Sequence, residues 1–109
     1  MSAVKMVRTI IHLNKYGSSM GTRELGSSIR EEVLSLINQG NNILFDFSGV
    51  SVISSAFGDE LFGKLYIELG EEIFKNKIKV NNFDNEESKE IILLIINNGI
   101  NYRKNNLSQ

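Results

Sequence analysis

The sequence predicts a small α/β domain with a mostly parallel sheet and helices packed on it. Short apolar, β-branched runs alternate with longer segments in which apolar residues recur every three or four positions, which gives the order β-α-β-α-β-α. The segments between the strands are long enough to be crossover helices, and such crossovers make neighbouring strands parallel. Because 109 residues is the size of one domain, we expect a single domain over residues 1–109.

The first half of the chain supplies strands around one helix. Residues 4–13 mix β-branched and polar side chains and form a strand that could be split in two. The Gly- and Ser-rich segment 14–21 is a turn, and Thr22 or Gly21 caps the following helix. The apolar run 43–47 is typical of a strand covered on both faces. The apolar face of the helix consists of Leu25, Ile29, Val33, Leu36 and Ile37.

The second half continues the alternation. Residues 77–81 alternate polar and apolar side chains, as a strand near a sheet edge does. Asp84 and Glu87 resemble a capping box, which opens a last helix whose run 91–96 is apolar nearly all round. That helix stops at residues 97–99 or continues to Arg103. Between the strands of residues 43–47 and 77–81 the sequence predicts a helix, and Gly70 loosens or ends it. Its apolar residues recur at four-residue steps, at Phe57, Leu61, Leu65 and Leu69.

Composition excludes several classes of function. Twelve basic and 13 acidic residues leave a net charge of −1, so no overall field attracts nucleic acid or an anionic membrane. Cysteine is absent, which excludes disulfides, thiolate metal sites and cysteine nucleophiles. No run approaches the roughly 18 apolar residues of a membrane span, and the N-terminus lacks a signal-peptide pattern. A cytoplasmic protein that binds neither nucleic acid nor membrane is expected.

The usual signatures of catalysis are weak. Residues 17–21 match G-x-S-x-G around Ser19, but a nucleophile elbow needs a histidine later in the chain. The single histidine, His12, precedes the serine and has no second histidine or thiol to complete a metal site. We therefore expect no enzyme activity, no metal and no cofactor.

The segment between the central strand and the next helix carries the clearest functional signal. It lies at the carboxyl edge of the predicted sheet, where α/β proteins usually meet ligands and partners. Ser54 and Ser55 come directly before the helix, where free backbone amides favour a negative charge, phosphate included. Serine is also a common N-cap, so the pair could serve the helix alone.

Residues 46–65 resemble the family of STAS-like domains of unknown function, which is related to the STAS domain of bacterial anti-sigma factor antagonists. Members of the family carry a strand ending in Asp-Phe-Ser-Gly-Val and then a Ser-Ser-x-Phe-x-Asp-Glu-Leu-x-Gly-x-Leu helix. Here these are residues 46–50 and 54–65, and residues 21–26 are similar to the family's first helix start. The resemblance spans most of the chain and implies a STAS-like fold and a role in signalling.

The resemblance also bears on phosphorylation. In the antagonists the loop ends in Asp-Ser-Ser-Gly, and an ATP-binding anti-sigma kinase phosphorylates the second serine. When the sequences are matched from Asp46, that acceptor position falls on Ala56, which cannot accept a phosphate. Phosphorylation is then left to Ser54 or to Ser55, the latter only if the helix start is shifted by one residue.

The resemblance implies a non-enzymatic module that binds another protein, either an ATPase of the histidine-kinase-like class or another signalling protein. A competing interpretation is a small nucleotide- or anion-binding domain, or a minor enzyme, that uses Arg23, Asp46 and Asp59 at the sheet edge. A third is a subunit that self-associates through the helix of residues 91–96. The residues expected at the protein contact are Ser54, Ser55, Phe57, Gly58, Asp59 and Arg23, with Phe57 assigned to either the core or the contact.

Overall fold

The computed structural model describes residues 7–17 and 19–107. Its main sheet has three parallel strands, β1 (Val7–His12), β3 (Asn41–Asp46) and β5 (Ile78–Asn81), with β3 in the centre. A second, two-residue ladder pairs β2 (Ser19–Met20) in parallel with β4 (Val52–Ile53). The predicted small α/β fold of STAS-like type with a mostly parallel sheet is confirmed.

Helices lie between some of these strands and after the last one. In chain order they are α1 (Arg23–Asn38), α2 (Ser55–Gly58), α3 (Lys64–Leu69), α4 (Glu71–Lys77) and α5 (Glu86–Leu107). A short 3₁₀ turn, Leu13–Tyr16, follows β1. Within the described residues, the strand predicted over residues 4–13 is the single strand β1, and its residues 4–6 lie outside those residues. β2 lies in segment 14–21, which was predicted to be a turn.

The boundaries of α1 follow from local chemistry. Thr22, one of the two predicted caps, accepts a hydrogen bond at its Oγ1 from the Leu25 N–H at 3.1 Å. At the other end Gly40 has φ 93°, a left-handed conformation that glycine adopts without strain and that turns the chain into β3.

The helix predicted over residues 57–69 is interrupted by a wider turn. Asp59–Gly63 forms a π-helical segment between α2 and α3, so the helix widens where its first acidic residues lie. Gly70, with φ 84°, ends α3, and α4 starts immediately after it. Of the two predicted roles of Gly70, to loosen or to end the helix, the structure shows the second. The prediction of one uninterrupted helix before it is wrong, because residues 59–63 are π-helical.

The predicted cap of α5 is also wrong. Asn85, rather than Asp84, accepts the hydrogen bond from the Ser88 N–H, at 2.8 Å, and the helix begins at Glu86. Asp84 is engaged elsewhere, since its Oδ1 accepts from the Gly49 N–H at 2.9 Å. That contact ties the start of α5 to the turn that follows β3.

The core lies between the sheet and the helices. Phe45 and Phe47 of the central strand region are fully buried and meet the Phe62 ring at centroid distances of 5.0 Å and 6.3 Å. Ile92 and Ile96 cover the same core from α5. This packing fixes the π-helical segment and α5 against each other, where the candidate site lies.

Candidate functional site

Two adjacent acidic residues are buried in the π-helical segment. Asp59 and Glu60 are each 7% exposed, which an ionised carboxylate tolerates only with charged or hydrogen-bonding partners. The partners come from α1, α3 and α5, and they are Arg23, Arg30, Lys64 and Arg103.

Asp59 joins the last helix to the first. Arg103 of α5 donates from Nε and Nη2 to the two carboxylate oxygens, each at 2.7 Å, and Arg23 of α1 donates from Nη1 at 2.9 Å. Burial acts to raise the pKa of Asp59, but the two guanidinium groups outweigh it and hold that pKa below its usual range. The carboxylate stays ionised and has a structural role as the link between α1 and α5.

Glu60 makes a second set of contacts. Arg30 donates from Nη1 to Oε2 at 2.9 Å and also to the Glu60 backbone oxygen, while Lys64 donates to Oε2 at 3.0 Å. Arg23 Nη1 reaches Glu60 Oε1 at 3.3 Å. Burial again raises the pKa of Glu60, and the bonds from Arg30 and Lys64 more than offset it, so the pKa is lowered.

Glycines let α5 lie very close to the π-helical segment. A Cβ added at Gly63 would be 2.7 Å from the Gly99 backbone oxygen, and one at Gly99 would be 3.1 Å from the Asp59 Cα. A Cβ at Gly58 would be 2.7 Å from Ile95 Cγ2. Only glycine allows the two backbones this separation, and the separation brings Arg103 over Asp59.

A pocket of about 400 Å³ opens beside the Asp59 carboxylate. It lies between the first residues of α1, the first residues of α2 and the second half of α5. Its lining combines two arginines and one acid with apolar and neutral polar groups, namely Arg23, Ser55, Ala56, Asp59, Ile95, Asn98, Gly99, Tyr102 and Arg103.

The two serines differ in their environment. Ser54 Oγ accepts from the Phe57 N–H at 3.0 Å and donates to the Gly21 carbonyl oxygen at 3.1 Å, so it caps α2 and fastens the turn before α1. Ser55 is exposed and lines the pocket. The structure thus assigns the capping role, which the sequence left open, to Ser54.

Asp46 belongs to a different cluster. Its Oδ2 lies 2.9 Å from His12 Nδ1 across the two neighbouring strands, and its Oδ1 accepts from the Ser48 N–H at 2.9 Å. Burial raises the pKa of Asp46, but these bonds outweigh it and lower the pKa. Asp46 does not line the pocket beside Asp59. Within residues 7–17 and 19–107, no three His, Asp or Glu side chains are grouped so as to hold a metal ion.

The structure brings together only part of the predicted contact set. Arg23, Ser55 and Asp59 line one pocket, whereas Phe57 and Gly58 are buried beneath it. Phe57, which the sequence assigned to either the core or the contact, is a core residue with 0% exposure. Partner binding by this set stays a prediction.

Residues of α5 complete the site and were not predicted. Asn98, Tyr102 and Arg103 line the pocket, but the sequence left open whether the helix continues past residues 97–99. It does continue, because Gly99 serves close packing and not helix termination. An arginine paired with an acid 44 residues away leaves no local signal in the sequence.

Comparison with known proteins places the chain by family. None of the helices in the described part has the length and hydropathy that a membrane span requires. Comparison with curated proteins and with solved structures finds no significant match. A family model described as a STAS-like domain of unknown function matches residues 26–88, more than half of the chain. The matched region contains β3, the serine-bearing loop and the buried acidic pair, and the chain belongs to the family of STAS-like domains of unknown function.

Proposed function

We propose that the chain is a non-enzymatic signalling module of the bacterial cytoplasm that acts by binding another protein. The observation that carries the proposal is the state of Asp59 and Glu60, the acids closest to the serine-bearing loop. Cationic side chains hold both ionised, with lowered pKa values. Neither acid is therefore suited to donate or accept a proton near neutral pH, and both stabilise a surface.

The proposed contact surface is formed by Arg23, Ser55 and Tyr102. The Arg23 side chain is 54% exposed, Tyr102 is 59% exposed, and the exposed Ser55 lines the same pocket. Arginine and tyrosine are the residue types that most often carry binding energy at interfaces. Ser54, Phe57, Gly58 and Asp59 would hold this surface in place from below.

The family relationship to anti-sigma factor antagonists supports an ATPase of the histidine-kinase-like class as the partner. The test is the Kd of the purified chain for such ATPases from the same host, measured by calorimetry. We expect Arg23→Glu and Tyr102→Ala each to weaken binding at least about tenfold, as for interface hot spots. Lys15→Glu, an exposed charge outside the pocket, serves as the control. Equal affinity for all three variants would contradict the proposed surface.

A thermal-shift measurement separates this proposal from the nucleotide-binding interpretation. We expect ATP with Mg²⁺, added without a partner protein, to leave the Tm unchanged. A stabilisation that grows with nucleotide concentration would favour a nucleotide-binding domain, because a ligand that binds only the folded state raises the Tm.

Ser55 is the proposed site of phosphorylation. Ser54 Oγ is engaged as a cap, whereas Ser55 is exposed at the pocket rim. Intact mass spectrometry of protein from the native host tests this, with Ser55→Ala and Ser54→Ala variants compared. A phosphate that persists in Ser55→Ala would contradict the assignment, and an unmodified mass under all growth conditions would exclude phosphorylation.

Self-association through α5 is the competing proposal for the module. Ile91 and Leu94 are 52% and 59% exposed on this helix. Light scattering during size exclusion tests it, since a monomer at high protein concentration would exclude this mode of assembly.

A further inference from the structure

The pocket beside Asp59 has the size of a small-molecule site. Its volume of about 400 Å³ falls within the range of roughly 300–1,000 Å³ that is usual for ligand pockets. Asn98, Gly99, Tyr102 and Arg103 of α5 form one side, and the starts of α1 and α2 form the other. Binding of a small molecule here does not require a protein partner.

The charges of the lining leave one positive charge without a counterpart in the pocket. Arg23 and Arg103 contribute two positive charges to the lining, and Asp59 contributes one negative charge. Glu60, the other acid that Arg23 reaches, is not part of the lining and is shared with Arg30 and Lys64. Arg103 already donates to Asp59 from both Nε and Nη2. Arg23 donates to Asp59 and Glu60 from Nη1 alone, so in the described part of the chain its Nε and Nη2 are available to another acceptor.

The remaining lining is mainly apolar. Ile95 and Gly99 line the pocket from α5, Ala56 lines it from α2, and the exposed Tyr102 of α5 contributes to the same lining. A ligand that fits this lining therefore combines one acceptor group for a guanidinium with an apolar body.

We propose that this pocket binds a small organic monocarboxylate, with the carboxylate on the free edge of the Arg23 guanidinium and the apolar body against Ile95, Gly99 and Tyr102. A planar carboxylate matches the paired N–H donors of a guanidinium edge. A single negative charge balances the lining. A phosphate dianion or a nucleoside triphosphate would bring additional negative charge close to the Asp59 carboxylate.

Benzoate is the probe, titrated into the ¹⁵N-labelled full chain while amide shifts are followed by NMR. We expect saturable shifts at Ser55, Ala56, Asn98 and Gly99 with a Kd on the order of 1 mM, as befits a ligand of this size. Benzamide, the neutral analogue, should bind at least tenfold more weakly, and inorganic phosphate should bind more weakly than benzoate. Equal shifts with benzamide, or no saturable shift with benzoate, would overturn the proposal.

Three variants make the test specific. Arg23→Gln should weaken benzoate binding at least tenfold. Asn98→Leu places a larger side chain in the pocket without removing an ion pair, and it should abolish binding in a protein whose spectrum shows an intact fold. Lys15→Gln should bind as the wild type does. Unchanged binding in Asn98→Leu would place the benzoate elsewhere and overturn the proposal.

An acidic side chain of a protein could present the same carboxylate, and a separate titration distinguishes the two sources. Doubly blocked glutamate, acetylated and amidated, carries the carboxylate on a polar body. We expect it to bind more weakly than benzoate, because it gains little from the apolar wall. Tighter binding of the blocked glutamate would show that the pocket is a receptor for a protein side chain and would contradict a free acid as its ligand.

Discussion

The ion pairs of Asp59 explain why an acid stands at this position of the serine-bearing motif. Its carboxylate is 7% exposed and joins α1 to α5 through Arg23 and Arg103. Removing one member of a buried ion cluster leaves the other charges desolvated and unpaired, which costs more than the cluster itself contributes.

We expect Asp59→Asn to lower the free energy of unfolding by about 2–3 kcal/mol, less than for a fully buried pair because both arginines are partly exposed. Urea denaturation at pH 7 measures the change. Glu90→Gln, an exposed acid on α5, is the matched control and should change stability by no more than about 0.5 kcal/mol. A loss equal to that of the control would show that the cluster contributes nothing.

The lowered pKa values of Asp59 and Glu60 predict a dependence of stability on pH. At pH values between the folded-state and the ordinary carboxyl pKa, the folded state binds fewer protons than the unfolded state. The two ionised carboxylates therefore contribute their full stability above the ordinary carboxyl pKa of about 4. It is lost as the pH falls through the lower, folded-state pKa values. Urea titrations from pH 7 to strongly acidic pH should show this loss, and Asp59→Asn with Glu60→Gln should flatten it. An unchanged slope in the double variant would assign the acid sensitivity to other groups, Asp46 among them.

How much of the site was predictable differs from one residue to the next. Arg23, Ser55 and Asp59 were predicted to lie near one another because loops at the carboxyl edge of a parallel sheet converge. Arg103 was not, because its pairing depends on the angle at which α5 crosses the π-helical segment. That angle is set by contacts between distant glycines, which no periodicity of the sequence reveals.

At the scale of elements, the packing of α5 on the π-helical segment organises the molecule. Gly58, Gly63 and Gly99 remove the side chains that would otherwise separate the two backbones. Helix propensity alone disfavours glycine within a helix by about 1 kcal/mol, so its presence here has a packing reason.

Gly63→Ala tests this packing. The new Cβ would lie 2.7 Å from the Gly99 backbone oxygen, which cannot move without shifting α5. We expect a loss of about 2 kcal/mol in the free energy of unfolding, despite the better helix propensity of alanine.

Gly21→Ala is the matched control, since a Cβ there has no atom within 4 Å. It should be neutral or stabilise by a few tenths of a kcal/mol through the unfolded chain. A stabilised Gly63→Ala variant, measured in the same urea titration, would contradict the close approach of the two backbones.

The elements themselves were predictable where the pattern is strong. The apolar run of β3 and the face of α1 follow directly from hydrophobic periodicity. The cap of α5 was misplaced by one residue, because Asp84 had a competing partner in Gly49 that only the folded chain brings near.

At the scale of the whole molecule, the fold extends beyond the region that identifies the family. The family match covers residues 26–88, but Arg23, Ile92, Ile96 and Arg103 lie outside it. Ile92 and Ile96 cover the core, and Arg23 and Arg103 pair with the buried Asp59.

A fragment of residues 1–88 should therefore fail to fold cooperatively. It would expose the core that Ile92 and Ile96 cover and leave Asp59 without Arg103. We expect lost near-ultraviolet circular dichroism and no sigmoidal urea transition, whereas a fragment ending at residue 107 should behave as the full chain does. A cooperative transition in the shorter fragment would show that α5 is dispensable.

The π-helical segment also has an evolutionary consequence. A π turn closes its hydrogen bond over five residues where an α turn uses four, so Asp59–Gly63 amounts to a one-residue insertion within a helix. Because the wider turn absorbs the extra residue, deleting one of residues 60–62 would restore a regular helix and leave the residues beyond it facing nearly as before. Asp59 and Gly63 would then still face Arg103 and Gly99 on α5. Descendants of this chain with one residue fewer in this turn should therefore keep the same packing of α5.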